Sequence, residues 1–259
     1  MMKPPSCTKI LMDPEHVSKR NKNKSAGMGL CLVTMPLLKP VIEVVNLGRI
    51  SYADGLQAQR TFIQRHLNAL SQQPTAESPV NAVLLCEHDP VYTIGIRTAR
   101  YPIKEEERLK QLGAEFHRSD RGGLITFHGP GQLVCYPILN LAHFRKSVRW
   151  YVGELETTVI RLCHRFGIKA ETSPDTGVWV QNDKICAIGI HCGRYITSHG
   201  LALNCNNDLR WFSHITPCGI EGKGVTSLSQ ALKREVTVPD AVDLLLETFA
   251  KQFDCVLRH

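Results

Sequence analysis

Residues 177–204 read GVWVQNDKICAIGIHCGRYITSHGLALN. Three strand-like runs follow one another with no helical stretch between them. They are Gly177–Gln181, Lys184–Cys192 and a third that ends at Asn204 and begins at Tyr195 or at His199. Asn182-Asp183 supplies a hairpin turn and sets Lys184 at the start of an apolar strand. Upstream, Ser147 opens a helix to about Phe166, with Trp150/Tyr151, Leu155, Val159 and Leu162/Cys163 as its apolar stripe. Earlier still, strands around Leu124–His128 and Leu133–Leu139 flank the Gly-Pro-Gly turn at 129–131, reading as one hairpin. A short charged helix, Lys104–Leu112, stops at Gly113. Ala82–Cys86 and Val91–Ile94 are strand-like on either side of His88-Asp89-Pro90.

The chain's first ordered strand is expected at Val41, in VIEVV. Ser51 then caps a helix to about Ser71 with Tyr52, Leu56, Ile63, Leu67 and Leu70 on one face. Downstream, Thr237-Val-Pro-Asp240 is a capping-box start with Pro in the first turn of a last helix to about Phe253. Many strands, few helices and no regular β-α alternation predict an α+β domain with a mixed or antiparallel sheet, not a doubly wound one. The expected organisation is a basic, disordered extension over 1–40 and a single catalytic domain over 41–259.

With 259 residues and 43% hydrophobic content the chain can bury one sizeable core. No apolar run approaches the about 18 residues a bilayer-crossing helix needs; Leu30–Leu38 is short and broken by Thr34 and Pro36. The net charge is +7, but residues 1–40 hold seven basic side chains against Asp13 and Glu15, which leaves only +2 for the rest. A nucleic-acid binder concentrates positive charge on its folded face, so this distribution argues against one. The basic run Lys19–Lys24 reads as a solvated arm or an organellar targeting segment; one Arg and two acids give the second reading little support. Ten scattered cysteines with no Cys-x-x-Cys pair predict small buried apolar thiols in a reducing compartment, and no metal site.

Three stretches carry more special residues than packing demands. Arg121-Gly-Gly-Leu-Ile-Thr-Phe-His-Gly-Pro-Gly-Gln132 lets backbone approach a ligand and adds the polar groups Thr126, His128 and Gln132. In Gly177–Gly189, Lys184 stands beside Ile185, Ala187 and Ile188, where desolvation would make a lysine a usable base. In Thr216-Pro-Cys-Gly-Ile-Glu-Gly-Lys-Gly-Val-Thr-Ser227, Pro217 and Gly219 put Cys218 in a turn whose backbone N–H groups could stabilise a thiolate or an oxyanion. Each stretch alone also has a plain structural account: a glycine-rich turn, a lysine that snorkels to solvent, a loop thiol with no chemistry.

Together they resemble one family. The pattern RGGxxTxHxxGQxxxY runs from Arg121-Gly122-Gly123 through Thr126, His128 and Gly131-Gln132 to Tyr136. With GVWVQNDKICAIG, SHGLALN at 198–204 and PCG at 217–219, it is similar to octanoyltransferase, also called lipoate-protein ligase B, over roughly 41–255. The resemblance implies the α+β fold of the biotin and lipoate protein ligase catalytic domain. It also implies transfer of an octanoyl group from the phosphopantetheine thioester of acyl carrier protein to a lysine of a lipoyl domain, such as glycine cleavage H protein. No cofactor, no metal, no nucleic acid and no membrane span are implied, and the basic extension resembles the mitochondrial (matrix) form of animals. By position, Cys218 is the nucleophile and Lys184 its proton-handling partner. The substrate pocket is expected from Arg121, Gly122, Gly123, Leu124, Ile125, Thr126, Phe127 and His128, from Ala187, Ile188 and Gly189, and from Gly200, Leu201 and Ala202. The rivals are an ATP-dependent lipoate or biotin ligase on the same fold, a non-catalytic binder of lipoyl domains or acyl carrier, and a cysteine hydrolase using His199 or His214.

Overall fold

The apolar run Ala82–Cys86 is buried on both faces, and this makes its strand the middle of the molecule. Val83 and Leu85 point into one core; Ala82, Leu84 and Cys86 point into another on the opposite side. The computed structural model describes residues 39–71, 81–97, 102–215 and 223–259. In chain order the elements are β1 (Val41–Ile50), α1 (Tyr52–Ser71), β2 (Asn81–His88), β3 (Val91–Ile94), α2 (Ile103–Lys110), β4 (Glu115–Arg118), β5 (Thr126–His128) and β6 (Gln132–Ile138). There follow α3 (Val148–Arg165), β7 (Val178–Val180), β8 (Asp183–Gly193), β9 (Ile196–Asn204), β10 (Gly224–Val225), α4 (Leu228–Leu232), α5 (Val238–Gln252) and β11 (Val256–Arg258).

Among the described residues the strands form two sheets. The larger runs β10-β8-β9-β6-β2-β1-β11, with β7 paired to β8; the smaller runs β4-β3-β5. β2-β6, β6-β9 and β8-β9 are antiparallel, whereas β1-β2, β1-β11 and β8-β10 are parallel, so the sheet is mixed, as the sequence predicts. The α3 stripe, Tyr151, Leu155, Val159, Leu162 and Cys163, packs with Leu245 and Phe249 of α5 over one face. Phe62 of α1 covers the other. Six of the seven described cysteines are buried and all seven are free thiols. No described helix is long and apolar enough to cross a membrane.

The predicted caps are present. Ser51 Oγ accepts from Asp54 N at 3.1 Å, Ser147 Oγ from Trp150 N at 3.2 Å, and Asp240 reaches back to Thr237 N at 2.8 Å. Three local expectations need correction. The segments around the Gly-Pro-Gly turn are not a hairpin: β5 pairs with β3 in the small sheet and β6 with β2 and β9 in the large one. The turn therefore hands the chain between sheets, with Gly131 N donating to Glu87 Oε2 at 2.6 Å. The turn before β8 is Gln181-Asn182, because Val180 pairs with Asp183. The buried face of α1 is Tyr52, Gly55, Gln59, Phe62 and His66, while Leu56, Ile63 and Leu67 lie half-buried beside it and Leu70 is exposed.

Polar residues win that face because distant backbone meets them. His66 Nε2 lies 3.1 Å from Ile138 O, and Gln59 Oε1 accepts the buried His199 N–H at 2.7 Å. A buried donor stripped of its partner costs roughly 1–3 kcal/mol. Gln59→Leu, more hydrophobic but unable to accept, is therefore expected to lower stability by about 2 kcal/mol in urea unfolding; an unchanged or raised midpoint would refute this account of the helix face.

Candidate active site

The Arg121–Leu124 loop is drawn onto the large sheet by its own backbone. Gly122 N donates to Ile190 O of β8 at 2.9 Å. Gly189 permits that approach, since a Cβ there would lie 2.9 Å from Gly122 O and 3.2 Å from Arg121 Cδ. The Arg121 guanidinium donates to Thr93 O at 2.7 Å, Thr93 Oγ1 at 2.9 Å and Leu124 O at 3.0 Å, so the buried cation is wrapped in oxygens of its own loop and of β3.

Between this loop and strands β8 and β9 lies a narrow inner cleft of about 50 Å3. It is lined by Arg121, Gly123, Leu124, Thr126, His128, Ala187, Ile188, Gly189, Gly200, Leu201 and Ala202, together with Tyr52, Val134, Tyr136 and His199. Gly123, Leu124, Ile188 and Gly189 also line a wider cavity of about 330 Å3, which adds Gly122, Arg97, Val148, Val152, Asp175, Thr176, Lys184 and Ile190. Most residues expected at the pocket thus meet around two adjoining spaces. Ile125 and Phe127 do not: alternation along the strand turns them into the small sheet's core with Tyr92, Ile94 and Leu109.

Lys184 is 6 % exposed and does not snorkel to solvent. Its Nζ donates to Thr176 O at 3.1 Å and sits 4.7 Å over the Trp179 ring, from the strand paired with its own. Gly177 leaves room for its stem, since a Cβ there would be 3.3 Å from Lys184 Cε. Cys218 lies outside the described residues. Its described flanks are Ile215, packed on the small sheet's core, and Lys223, whose Nζ is 2.9 Å from Asp175. Beyond Lys223, β10 pairs Val225 with Lys184, and Thr226 N donates to Lys184 O at 3.0 Å.

The inner cleft is walled by histidines that burial keeps neutral. His128 is held down to about 3, first by desolvation and then by the charges of His88 and Arg121. Its Nδ1 lies 2.8 Å from Gln132 Oε1 and its Nε2 3.2 Å from Thr93 Oγ1, which fits an Nδ1–H tautomer donating to the amide and accepting from the hydroxyl. His88 is also lowered by burial; it bridges Ile50 O at 3.1 Å and Tyr136 OH at 2.7 Å. His199, lowered too by burial, has Nε2 2.8 Å from Asp120 Oδ1. Its φ of 55° inside a strand is strained backbone, fixed by the Gln59 contact on one side and by Asp120 on the other. Burial raises Asp120, but the hydrogen bond and charge attraction of His199, with His191, bring it below the ordinary aspartate value.

A chain of hydrogen bonds joins this histidine wall to the lysine. Gln132 Nε2 donates to Asn204 Oδ1 at 2.8 Å, and Asn204 Nδ2 donates to Thr226 O at 2.9 Å, beside the Thr226–Lys184 backbone bond. Sequence reasoning placed Gln132 and Tyr136 in the motif but gave neither Asn204 nor Tyr52 a site role. Tyr52 reads as one more apolar residue of α1's stripe, and no local signal separates the two uses. Arg97, Val148 and Val152 are equally silent in sequence, because only the tertiary fold brings them to the cavity.

The family described as lipoyl protein ligase A/B catalytic domain matches residues 51–250. The mitochondrial octanoyl-[acyl-carrier-protein]:protein N-octanoyltransferase of Danio rerio is 64% identical over 225 residues, covering 87% of this chain and 98% of that one. The human protein of the same name is 47% identical, covering 85% and 96%. An octanoyltransferase of Bacteroides thetaiotaomicron is 45% identical over 76% of this chain and 88% of its own. Among solved structures, a lipoate-protein ligase A bound with ATP superposes with a TM-score of 0.62 at 13% identity, covering 86% of this chain and 88% of that one. A bipartite lipoate protein ligase from Thermoplasma acidophilum superposes at 0.61 with 14% identity, covering 86% of each. These last two show the fold alone. The match over residues 51–250 and the identity along nearly the whole length of the relatives place this chain in the lipoyl protein ligase A/B catalytic-domain family.

Proposed function

We propose that this chain is a mitochondrial octanoyltransferase that moves an octanoyl group from acyl carrier protein to a protein lysine in lipoate biosynthesis. One observation carries the reading: relatives named for that activity, animal and bacterial, match it over 76–87% of its length. Four of the animal relatives are named as mitochondrial. The acceptor is a lipoyl domain, glycine cleavage H protein being the expected first one. Cys218 is the nucleophile and Lys184 its partner.

The reaction needs no ATP, because the donor is already a thioester. Lys184 Nζ takes the Cys218 thiol proton, and the thiolate attacks the octanoyl carbonyl. The pantetheine sulfur leaves with the proton that Lys184 returns, and the acyl group stays on Cys218 as a new thioester. The acceptor's lysine amine then attacks that carbonyl and gives a proton to Lys184. The Cys218 sulfur departs, recovers the proton, and an octanoyl amide is left on the acceptor. A lysine held by Thr176 O, Trp179 and the glycine at 177 has little freedom, which suits a group that must meet two successive partners at one place. The inner cleft, with Ala187, Ile188, Leu201 and Ala202, offers small and aliphatic walls to a linear acyl chain.

Intact-protein mass after mixing the enzyme with octanoyl-acyl carrier protein, ATP absent, tests the mechanism. Wild type should gain one octanoyl group and lose it to an added lipoyl domain. Cys218→Ala should gain none, and Lys184→Ala should acylate about a hundredfold more slowly or worse. Acceptor modification that requires ATP and free acid would instead make the protein a ligase and remove the role of Cys218; released free octanoate would make it a hydrolase.

The buried neutral histidines add a pH dependence. A histidine whose folded pKa lies below its unfolded one binds its proton more readily in the unfolded chain. Its stabilisation is therefore full above about 6.5 and is lost as pH falls toward the folded value. For His128 that window runs from about 6.5 down to about 3. Within it one such group contributes a slope of about 1.4 kcal/mol per pH unit. Unfolding free energy should fall steadily below pH 6.5, and His128→Gln should flatten the curve by about that slope. An equally steep acid limb in the variant would show that His128 is not the group being charged.

A further inference from the structure

The rim of the wider cavity carries positive charge that the fold leaves unanswered. Elsewhere on the surface Arg49, Arg65, Arg108, Lys110, Arg165 and Lys251 each meet a carboxylate at 2.5–3.0 Å, while Arg60, Lys104, Arg161 and Lys169 stand scattered without one among the described residues. Arg97, Arg145, Lys146, Arg149 and Arg194 are exposed and meet none among the described residues. The nearby carboxylates are already engaged: Asp175 by Lys223, Asp120 by His199 and His191.

These cations are gathered by the fold. Arg97 lines the cavity, as do Val148 and Val152 of α3, and Arg145, Lys146 and Arg149 flank Val148 along the chain. The β8–β9 turn joins them, since Leu141 N donates to Tyr195 O at 2.8 Å, Asn140 bridges to Ile196, and Lys146 Nζ stands 5.7 Å from the Tyr195 ring centre. Apolar surface is interleaved with the charge: Ile96 is 66%, Tyr195 47% and Val148 40% exposed.

The turn itself favours a binding role over a bland surface. Gly193 pairs with Ile196, leaving the two-residue loop Arg194-Tyr195 with φ of 53° and 63°. A loop with both central residues at positive φ is the hairpin turn that prefers Asn-Gly. Here an arginine and a tyrosine hold the two strained positions, and the tyrosine ring lies 5.7 Å from Lys146 Nζ, just ahead of the cavity-lining Val148.

We propose that this basic rim is the docking surface for the donor, and that it receives the phosphate of the phosphopantetheine arm. The assignment rests on the octanoyl-transfer reading above. An acyl group delivered to Lys184 on such an arm leaves the arm's one phosphodiester anion outside, at the cavity mouth, which Arg97 lines and beside which Arg145, Lys146, Arg149 and Arg194 stand with no carboxylate partner among the described residues. The acceptor brings the opposite charge, because the group it must insert is a lysine, and a cationic rim gives that group no attraction. The rim therefore discriminates between the two partners that use one mouth in turn: it raises the encounter rate of the donor and is released from it once the acyl group has been taken.

The test uses the full chain with two donors. Lys146→Glu/Arg149→Glu and Arg194→Glu are compared with wild type for octanoyl transfer to a lipoyl domain. The octanoyl group comes from acyl carrier protein or from octanoyl-pantetheine, which has neither phosphate nor protein. With the carrier donor KM should rise about tenfold or more at near-constant kcat, and the salt dependence of the wild-type KM should weaken in the variants. With octanoyl-pantetheine both constants should stay within about twofold, which also shows that the variants fold. An unchanged carrier KM, an equal loss with both donors, or a KM effect confined to the lipoyl domain would each overturn the proposal. Failure of the transfer reading looks different, as no transfer by wild type from either donor, and would take the rim's assignment with it.

Discussion

The hydrogen bond between Gln132 and Asn204 holds the site's two halves in one register. The residues face each other as the pair that begins β6 and ends β9, and both are buried. Two amides in that setting must satisfy each other and their neighbours, since a buried polar group left unpaired costs roughly 1–3 kcal/mol. Gln132 uses its remaining acceptor on His128 and a second amide contact on Phe127 O, in the small sheet. Asn204 uses its donors on Thr226 O, whose own N–H pairs with the Lys184 carbonyl. A shift of one residue in the β6–β9 pairing would break the Gln132–Asn204 bond that joins the two halves of this series and turn the apolar face of one strand the wrong way. The polar register and the hydrophobic register thus specify the same structure.

Charge inside the site is arranged with the same economy. Arg121 is buried, and the terminal nitrogens of its guanidinium are occupied by carbonyl and hydroxyl oxygens. His88, His128 and His199 are all pushed toward neutrality by burial, and the first two have partners that fix one tautomer. What surrounds the inner cleft is therefore oriented dipole more than ionic charge. That environment admits an apolar chain while still offering donors near a carbonyl. Lys184 stands apart from this wall, in the wider cavity, on the strand opposite Trp179.

Local signals in the sequence were sufficient where local physics decides. The α3 stripe, the caps at Ser51, Ser147 and Thr237, and the strand runs around Lys184 and Gly200 all read directly from periodicity and capping chemistry. They failed where the partner is remote. Nothing in Leu124–Leu139 says that its two strands join different sheets, because strand pairing is settled by surfaces far along the chain. The face of α1 departs from its apolar pattern for the same reason: Gln59 and His66 look solvent-facing until His199 N and Ile138 O are set beside them. β4, α4 and β11 carry no local signal, being short segments whose order comes from docking. For the site, most of the expected pocket residues come from motif resemblance, and the structure adds why alternate ones face the cleft. Thr126 and His128 line the cleft, whereas Ile125 and Phe127, one residue out of phase, build the core that supports it.

The likeness to lipoate-protein ligases at 13–14% identity shows how little the fold alone constrains the chemistry. A ligase and a transferase both need a slot for an acyl chain and a mouth wide enough for a protein acceptor. The two-sheet scaffold, with glycines where its loop crosses β8, has two adjoining cavities, and Lys184 lines the wider one. A free acid must be activated on the enzyme, and that requires a nucleotide. A thioester arrives activated, so the enzyme needs only a sulfur to receive it and a base that can hand one proton back and forth. Under the proposed mechanism the difference between the two chemistries reduces to whether a cysteine receives the acyl group, and to which arm enters the mouth carrying it. A basic rim belongs to that second choice: it answers an anionic arm, which a donor on phosphopantetheine has and an acceptor lysine lacks.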